Sequence, residues 1–195
     1  MRRALFFILL CFAAQFSAFG QSGLERLESI TRHYASMGAY KIEFVLHIDG
    51  TQQNGALIVS GNNSYMRIAN SEVFIADSVR YEVRSSSSKE IVVDRAYLYE
   101  NELLNPKDGL ENLKNDYNIE ECTIGTATAI RLSPKKSGET ICIFTESDGI
   151  TIDKVQYVAG NDKVEIAISR HQKDNIVLPK FSKERYKGFE LIDFR

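Results

Sequence analysis

Apolar residues recur at steps of three and four near the start of the chain, in residues 22–38. This spacing places side chains on one face of a helix and predicts an amphipathic helix over the segment. Ser22 is suited to cap the first turn, and Gly38 is suited to follow the last one. The predicted buried stripe consists of Leu24, Leu27, Ile30, Tyr34 and Met37.

The period changes to two after this helix, and a period of two predicts β-strands. Asp49-Gly50, Gly61-Asn62 and similar pairs separate the alternating runs at hairpin distances. Residues 180–195 mix aromatic with charged side chains, and we expect a closing strand or an extended tail there. The predicted strands are residues 41–48, 56–60, 65–69, 72–76, 79–84, 90–94, 126–132, 140–145, 151–158 and 163–169.

A second, short helix is predicted between the two groups of strands. Asn105-Pro106 interrupts the alternation, and proline is favoured in the first turn of a helix. Leu110, Leu113 and Tyr117 follow at steps of three and four. We therefore expect a helix here whose apolar side packs on the sheet.

The order of elements indicates an α+β protein with a curled antiparallel sheet, an incomplete β-barrel closed by short helices. Short links make neighbouring strands antiparallel, because a parallel crossover needs a dozen or more residues. About ten strands in one sheet should curl, since twisted open sheets of that size rarely stay flat. In residues 56–60, Leu57 and Val59 share one face while Ile58 lies on the other, so both faces need cover. Helices can cover one face, and an apolar ligand cavity is another solution.

Residues 1–20 have the pattern of a secretory signal peptide. Two arginines precede an apolar run over residues 4–14, and Ala18-Phe19-Gly20 places small residues at the −3 and −1 positions. We therefore expect cleavage before Gln21, export to the periplasm, and a single mature domain of residues 21–195.

Two other interpretations of residues 1–20 are a membrane anchor or buried helix, and a lipoprotein modified at Cys11. The apolar run is shorter than the ~20 residues that a spanning helix needs. A lipidated cysteine would follow small residues, whereas Leu9-Leu10 precede Cys11. The pattern therefore favours a cleaved signal peptide.

Charge excludes one class of partner. The chain has 24 basic and 26 acidic residues, and removing Arg2 and Arg3 leaves 22 basic residues and a formal charge of −4. A protein that binds nucleic acid through phosphates carries a basic surface instead. We therefore expect no nucleic-acid partner. No later segment is apolar enough to span a membrane. We expect the protein to be a monomer.

The mature chain keeps two cysteines, Cys122 and Cys142. Residues 133–138 are typical of a hairpin turn, and this turn places Cys142 opposite residues near Ile130. Cys122 is then offset by about eight residues, on the order of 25 Å along the strands. A disulfide needs Cα atoms within about 7 Å, so we expect no bond between the two.

No catalytic constellation, metal site or cofactor motif stands out in the sequence, and we expect a protein that is not an enzyme. His33, His47 and His171 lack the spacing of metal ligands. A hydrolase using Ser86 or Cys122 is the alternative. Residues 86–89 match S-x-x-K, but the S-D-N and K-T-G motifs that accompany it in serine hydrolases are absent. A polar hairpin loop explains this segment better.

Several features, spread along the mature chain, resemble the outer-membrane lipoprotein carrier proteins, the LolA-like family, in the form found in Bacteroidetes-type envelopes. The leading helix runs into the first strand, and a glycine-led strand and a proline-led helix follow in the family's order. The most specific matches are a Leu-Ser-Pro-Lys-Lys turn and a Glu-Leu-Ile-Asp-Phe-Arg ending. The matching segments are residues 24–44, 55–68, 105–113, 131–136 and 186–195.

The resemblance implies a half-open barrel whose apolar cavity holds acyl chains, without cofactor or covalent chemistry. Its partners would be the acyl chains of lipoproteins, an inner-membrane lipoprotein export complex and an outer-membrane acceptor, the last two transiently. The cavity arginine of the enterobacterial carriers corresponds to Gly61 here, so that role is not carried over. The expected cavity residues are Phe44, Leu46, Leu57, Val59, Met66, Ile68, Tyr81 and Ile143 from strands, with Leu110 and Leu113 from the lid.

Two further interpretations stay open at this point. Each of these apolar residues can also be ordinary core. A periplasmic lipid-binding or envelope-sensing module with the same scaffold, but without lipoprotein transfer, is the alternative function.

Overall fold

The computed structural model describes residues 22–86, 88–96, 113–159 and 162–195. The signal-peptide interpretation and Leu110 therefore lie outside the described residues. Of the second predicted helix, residues 113–116 are described and are helical.

The leading helix, α1, spans Gly23–Ser36, as the apolar spacing predicts. Its start is fixed by a reciprocal pair of hydrogen bonds. The Ser22 hydroxyl oxygen accepts from the Glu25 N–H at 3.2 Å, and the Glu25 carboxylate accepts from the Ser22 N–H at 2.8 Å. Such a capping box satisfies two amide groups that a helix start otherwise leaves unpaired. The chain then turns at Gly38, whose φ of +67° suits glycine.

In the described residues, twelve strands form one curled, open sheet, so the predicted fold class is confirmed. All adjacent pairs are antiparallel except β12 with β6, which run parallel. The order across the sheet is β12-β6-β5-β4-β3-β2-β1-β11-β10-β9-β8-β7, which leaves β12 and β7 at the edges. The strands are β1 Ala39–Ile48, β2 Thr51–Ser60, β3 Asn63–Ile68, β4 Ser71–Ala76, β5 Val79–Arg84, β6 Glu90–Arg95, β7 Tyr117–Ile124, β8 Ala127–Pro134, β9 Ile141–Thr145, β10 Ile152–Ala159, β11 Asp162–Gln172 and β12 Glu190–Asp193.

One local prediction is wrong. Tyr117 was expected in the second helix but begins β7, since the pairing of this strand with β8 overrides the weak helical spacing. The same edge strand carries Glu120 and Glu121, and charged side chains are tolerated at such an edge.

The predicted register of the β8–β9 hairpin is confirmed. Cys142 lies opposite Arg131, next to the expected Ile130. The predicted offset of about eight residues from Cys122 is wrong, because Cys122 lies on β7, which pairs with β8, and is opposite Ala129. The two cysteines therefore flank β8 only two register positions apart. Both cysteines are free thiols.

One face of the sheet, which we call the concave face, carries the larger core, and α1 packs into it. Leu27, Ile30 and Tyr34 of the helix are buried against it. The helix approaches β7 so closely that a Cβ at Gly23 would overlap the backbone of Glu120. The Tyr34 hydroxyl accepts from the Ile152 N–H at 3.2 Å, which ties the helix to β10.

The outer face is covered in another way. The segment that follows β11 crosses the outer side of β2–β6 and forms a second core there before it pairs as β12. Its aromatic ring Phe181 stacks on Tyr81 of β5, with ring centres 4.2 Å apart. We call residues 173–189 the C-terminal cover.

A buried carboxylate, Glu72 of β4, anchors this cover. It accepts hydrogen bonds from Tyr65 at 2.6 Å, from Tyr186 at 2.7 Å and from Arg185 at 2.9 Å. Burial raises the pKa of Glu72, but the tyrosine hydroxyls and the Arg185 guanidinium outweigh burial and hold that pKa below its usual range. The carboxylate therefore stays charged and holds the cover to the sheet.

Candidate functional site

The strand register arranges the concave side chains in rows that run across the sheet. The central row starts at Ile42 of β1 and continues through Leu57 of β2, Met66 of β3 and Val73 of β4. Because facing residues of paired strands point to the same side, these side chains form one apolar line. The next residue in the row is charged, since Val73 lies opposite Glu82 of β5.

The two flanking rows change at the same strand. One passes from Phe44 through Gly55 and Ile68 to Ser71, and then reaches Arg84. The other passes from Val59 through Ser64 and Ile75 to Arg80. From β1 to β4 these three rows are mostly apolar and carry no charged side chain, and on β5 each row reaches a charged residue.

Burial differs among the apolar residues of this face. Phe44 is 2% exposed, and Leu57 and Val59 are also buried in the core that α1 joins. Leu46, Met66, Ile68 and Ile168 pack against the same core but are only partly buried. These four residues form an apolar surface continuous with the core, and we call them the open floor.

Gly55 shapes the boundary between the core and the open floor. It lies opposite both Phe44 and Ile68, and a Cβ at this position would overlap the ring of Phe44. The ring therefore occupies the space that a Cβ at residue 55 would take, and only glycine permits this close approach.

The charged row on β5 is an ion-paired triad. The Glu82 carboxylate accepts from Arg80 and from Arg84, each at 2.6 Å. The side chains of Arg80 and Glu82 are only 13% and 17% exposed. Burial raises the pKa of Glu82, but the hydrogen bonds and charges of Arg84 and Arg80 outweigh it and keep that pKa below its usual range.

The structure brings most of the predicted cavity residues together on the concave face. The prediction that Tyr81 lines the cavity is wrong, because Tyr81 lies in the outer core against Phe181. Alternation along β5 turns Tyr81 outward with Val79 and Val83, because the C-terminal cover supplies apolar partners there. Leu110 lies outside the described residues. The residues on the concave face are Phe44, Leu46, Leu57, Val59, Met66, Ile68, Leu113 and Ile143.

The β5 triad is what sequence reasoning missed. The signal was present as the alternation Val-Arg-Tyr-Glu-Val-Arg over residues 79–84. Charged residues in such a pattern are ordinarily assigned to solvent, and nothing local shows that the cover lies on the other side.

The two residues considered for a hydrolase lie away from the floor. Cys122 is on the outer face of β7, and burial raises the pKa of its thiol, which is opposite to the activation of a nucleophile. Ser86 is exposed in the bend after β5. Within the described ranges, no group of three or more His, Cys, Asp or Glu side chains is placed to hold a metal ion. Of the helices that the structure describes, none has both the length and the apolar character to cross a membrane.

No protein-family model and no curated protein sequence matches this chain. Solved structures are similar in fold. The lipoprotein LppX from Mycobacterium tuberculosis is 10% identical with a TM-score of 0.46, over 79% of this chain and 98% of that one. A LolA superfamily protein from Nitrosomonas europaea is 8% identical with a TM-score of 0.40, over 86% and 98%.

A third similar structure is the MucA/MucB complex of Pseudomonas aeruginosa, at 9% identity and a TM-score of 0.44, over 85% of this chain and 60% of that one. Similarity of this degree concerns the fold and assigns no function.

Proposed function

We propose that this protein is a periplasmic chaperone that binds the acyl chains of lipoproteins on its open floor and carries them from the inner to the outer membrane. Export rests on the signal-peptide pattern of residues 1–20. An inner-membrane export complex would load the carrier, and an outer-membrane acceptor would unload it. The cycle needs no covalent step, metal or cofactor.

The observation that carries the proposal is the open floor. Leu46, Met66, Ile68 and Ile168 continue the core but are only partly buried. An acyl chain laid along them would complete their burial, and each methylene removed from water contributes about 0.8 kcal/mol. The same property allows release, because a second apolar surface of similar area can compete for the chain.

The direct test is to purify the mature protein from an envelope extract and to identify co-purifying species by mass spectrometry. We expect lipoproteins with their acyl chains intact. Phospholipid alone would favour the lipid-binding or envelope-sensing alternative. The absence of any acylated species would contradict both functions.

A pair of variants tests whether the acyl chain binds on the open floor. Ile68→Asn puts an amide into the acyl path and should weaken binding of a fluorescent acyl probe at least about tenfold, because that polar group would be buried without a partner. Val177→Asn makes the same kind of change at a residue that is 80% exposed and should leave probe binding unchanged. Equal binding by both variants would contradict the assignment of the site.

A further inference from the structure

The β5 triad faces the side of the sheet that holds the open floor. In the rows described above, Val73 lies directly beside Glu82, and Ile75 lies directly beside Arg80. The apolar stretch from Leu57 to Glu82 crosses three inter-strand steps, or about 14 Å. A ligand that lies across the strands on the apolar floor therefore meets the triad at one end.

A buried ion cluster at this place is costly. Arg80 and Glu82 are mostly buried, and removing such charges from water costs several kcal/mol before their attraction offsets it. Apolar side chains of similar size would extend the floor instead. The triad thus gives the floor a polar end, which packing alone does not require.

The acidic side chains at this end outnumber the basic ones by one. Arg80 and Arg84 are countered by Glu82, with Glu90 at 3.9 Å from Arg84 and Asp94 facing Arg80 across the β5–β6 ladder. Asp94 is 4% exposed. In the part of the chain that the structure describes, this cluster holds two cations and three carboxylates. An anionic group placed here meets no excess of positive charge.

We propose that the β5 triad selects acyl ligands whose polar junction is uncharged, such as an acylated glycerol joined through ester or thioether groups, over ligands with a phosphate headgroup. This inference rests on the proposed function, because it assigns the polar end of the same site. Guanidinium groups donate to ester oxygens, while the surrounding carboxylates repel phosphate.

A matched pair of probes tests the selection in the wild-type protein. Monopalmitoylglycerol and its 3-phosphate share the chain and the glycerol, and differ only in the charged group. Competition of each probe, below its micelle concentration, against a bound fluorescent dye gives both dissociation constants. We expect the neutral probe to bind at least about tenfold more tightly, since like-charge contact in a desolvated site costs more than 1.4 kcal/mol.

A charge variant then assigns the selection to the triad. Glu82→Gln removes one negative charge and should reduce or reverse the preference for the neutral probe. Glu165→Gln makes the same change on the outer face, beside Lys154 and Gln156, and should leave the ratio unchanged. Circular dichroism confirms that each variant is folded.

The outcomes separate the two proposals. Binding of neither probe would overturn the proposed function and this inference together. Binding of both with equal affinity, or tighter binding of the phosphate, would overturn the inference alone, as would equal ratios in Glu82→Gln and Glu165→Gln. Lipid analysis of the natively loaded protein separates a lipoprotein's acylated glycerol from a free neutral glycerolipid, and enrichment of anionic phospholipid would overturn the selection.

Discussion

Strands β1 and β5 both alternate apolar and charged residues, but they turn their apolar residues to opposite sides of the same sheet. In β1, Ile42 and Phe44 point to the concave face, and Lys41 and Glu43 point outward. In β5, Tyr81 and its apolar neighbours point outward, and the charged triad points to the concave face.

The position of the covering element explains this difference. Helix α1 packs into the core on the concave side, and Ile42 and Phe44 of β1 are buried in that same core. The C-terminal cover lies on the outer side of β5, so the apolar residues of β5 are buried on that side. Alternation alone predicts that one face of a strand is buried, but not which face of the sheet it is. Between β1 and β5 the buried side of the sheet changes, and the open floor on the concave face is only partly buried there.

The largest expected effect comes from removing the anchor of the outer cover. Glu72→Gln should destabilise the protein by about 3 kcal/mol, because two tyrosine hydroxyls and a guanidinium lose their shared acceptor. Urea unfolding measures the change, and Glu184→Gln on the exposed side of the cover is the control. An equal stability of the two variants would show that the carboxylate does not hold the cover.

The stability that Glu72 contributes should depend on pH. The folded pKa of Glu72 is depressed below its ordinary value of 4.5, so its contribution to stability is present above that value. The contribution is lost as pH falls through the depressed folded pKa, since both states then bind the proton. The stability difference between wild type and Glu72→Gln should therefore be full at neutral pH and shrink in acid. A constant difference at all pH values would contradict this assignment.

A middle-sized effect is expected on the concave side. Gly55→Val should cost about 2 kcal/mol, because the new side chain forces the Phe44 ring off the β2 backbone. The displaced ring would also fill part of the open floor, so acyl-probe binding should fall with stability. Thermal unfolding and probe titration check the two parts. Unchanged probe affinity would show that Phe44 does not border the site.

The smallest loss of stability is expected on the outer face, and it should leave acyl binding on the concave face unchanged. Tyr81→Leu removes the stack on Phe181 and should cost about 1 kcal/mol. Because Tyr81 lies on the outer face, acyl-probe binding should not change. Weaker binding in this variant would return Tyr81 to the cavity and contradict the two-sided arrangement.

The candidate site could be predicted in part from the sequence. Phe44, Leu57 and Met66 lie together on the concave face, as the alternation within their strands predicts, and the helix that packs on that face is also predicted. Tyr81 was misplaced because its cover lies more than ninety residues away in the chain, and no local pattern indicates that contact. The triad was missed for the same reason.

The sequence by itself determined α1, most of the strands and the antiparallel pairing of strands that short turns join. Spacing of apolar residues defined α1, turn residues set antiparallel neighbours, and the number of strands required a curled sheet. These are local properties, since each depends on residues a few positions apart. Only the tertiary structure decided which side of each strand is buried. That choice depends on where α1 and the C-terminal cover pack, and packing between distant segments is set by the whole chain.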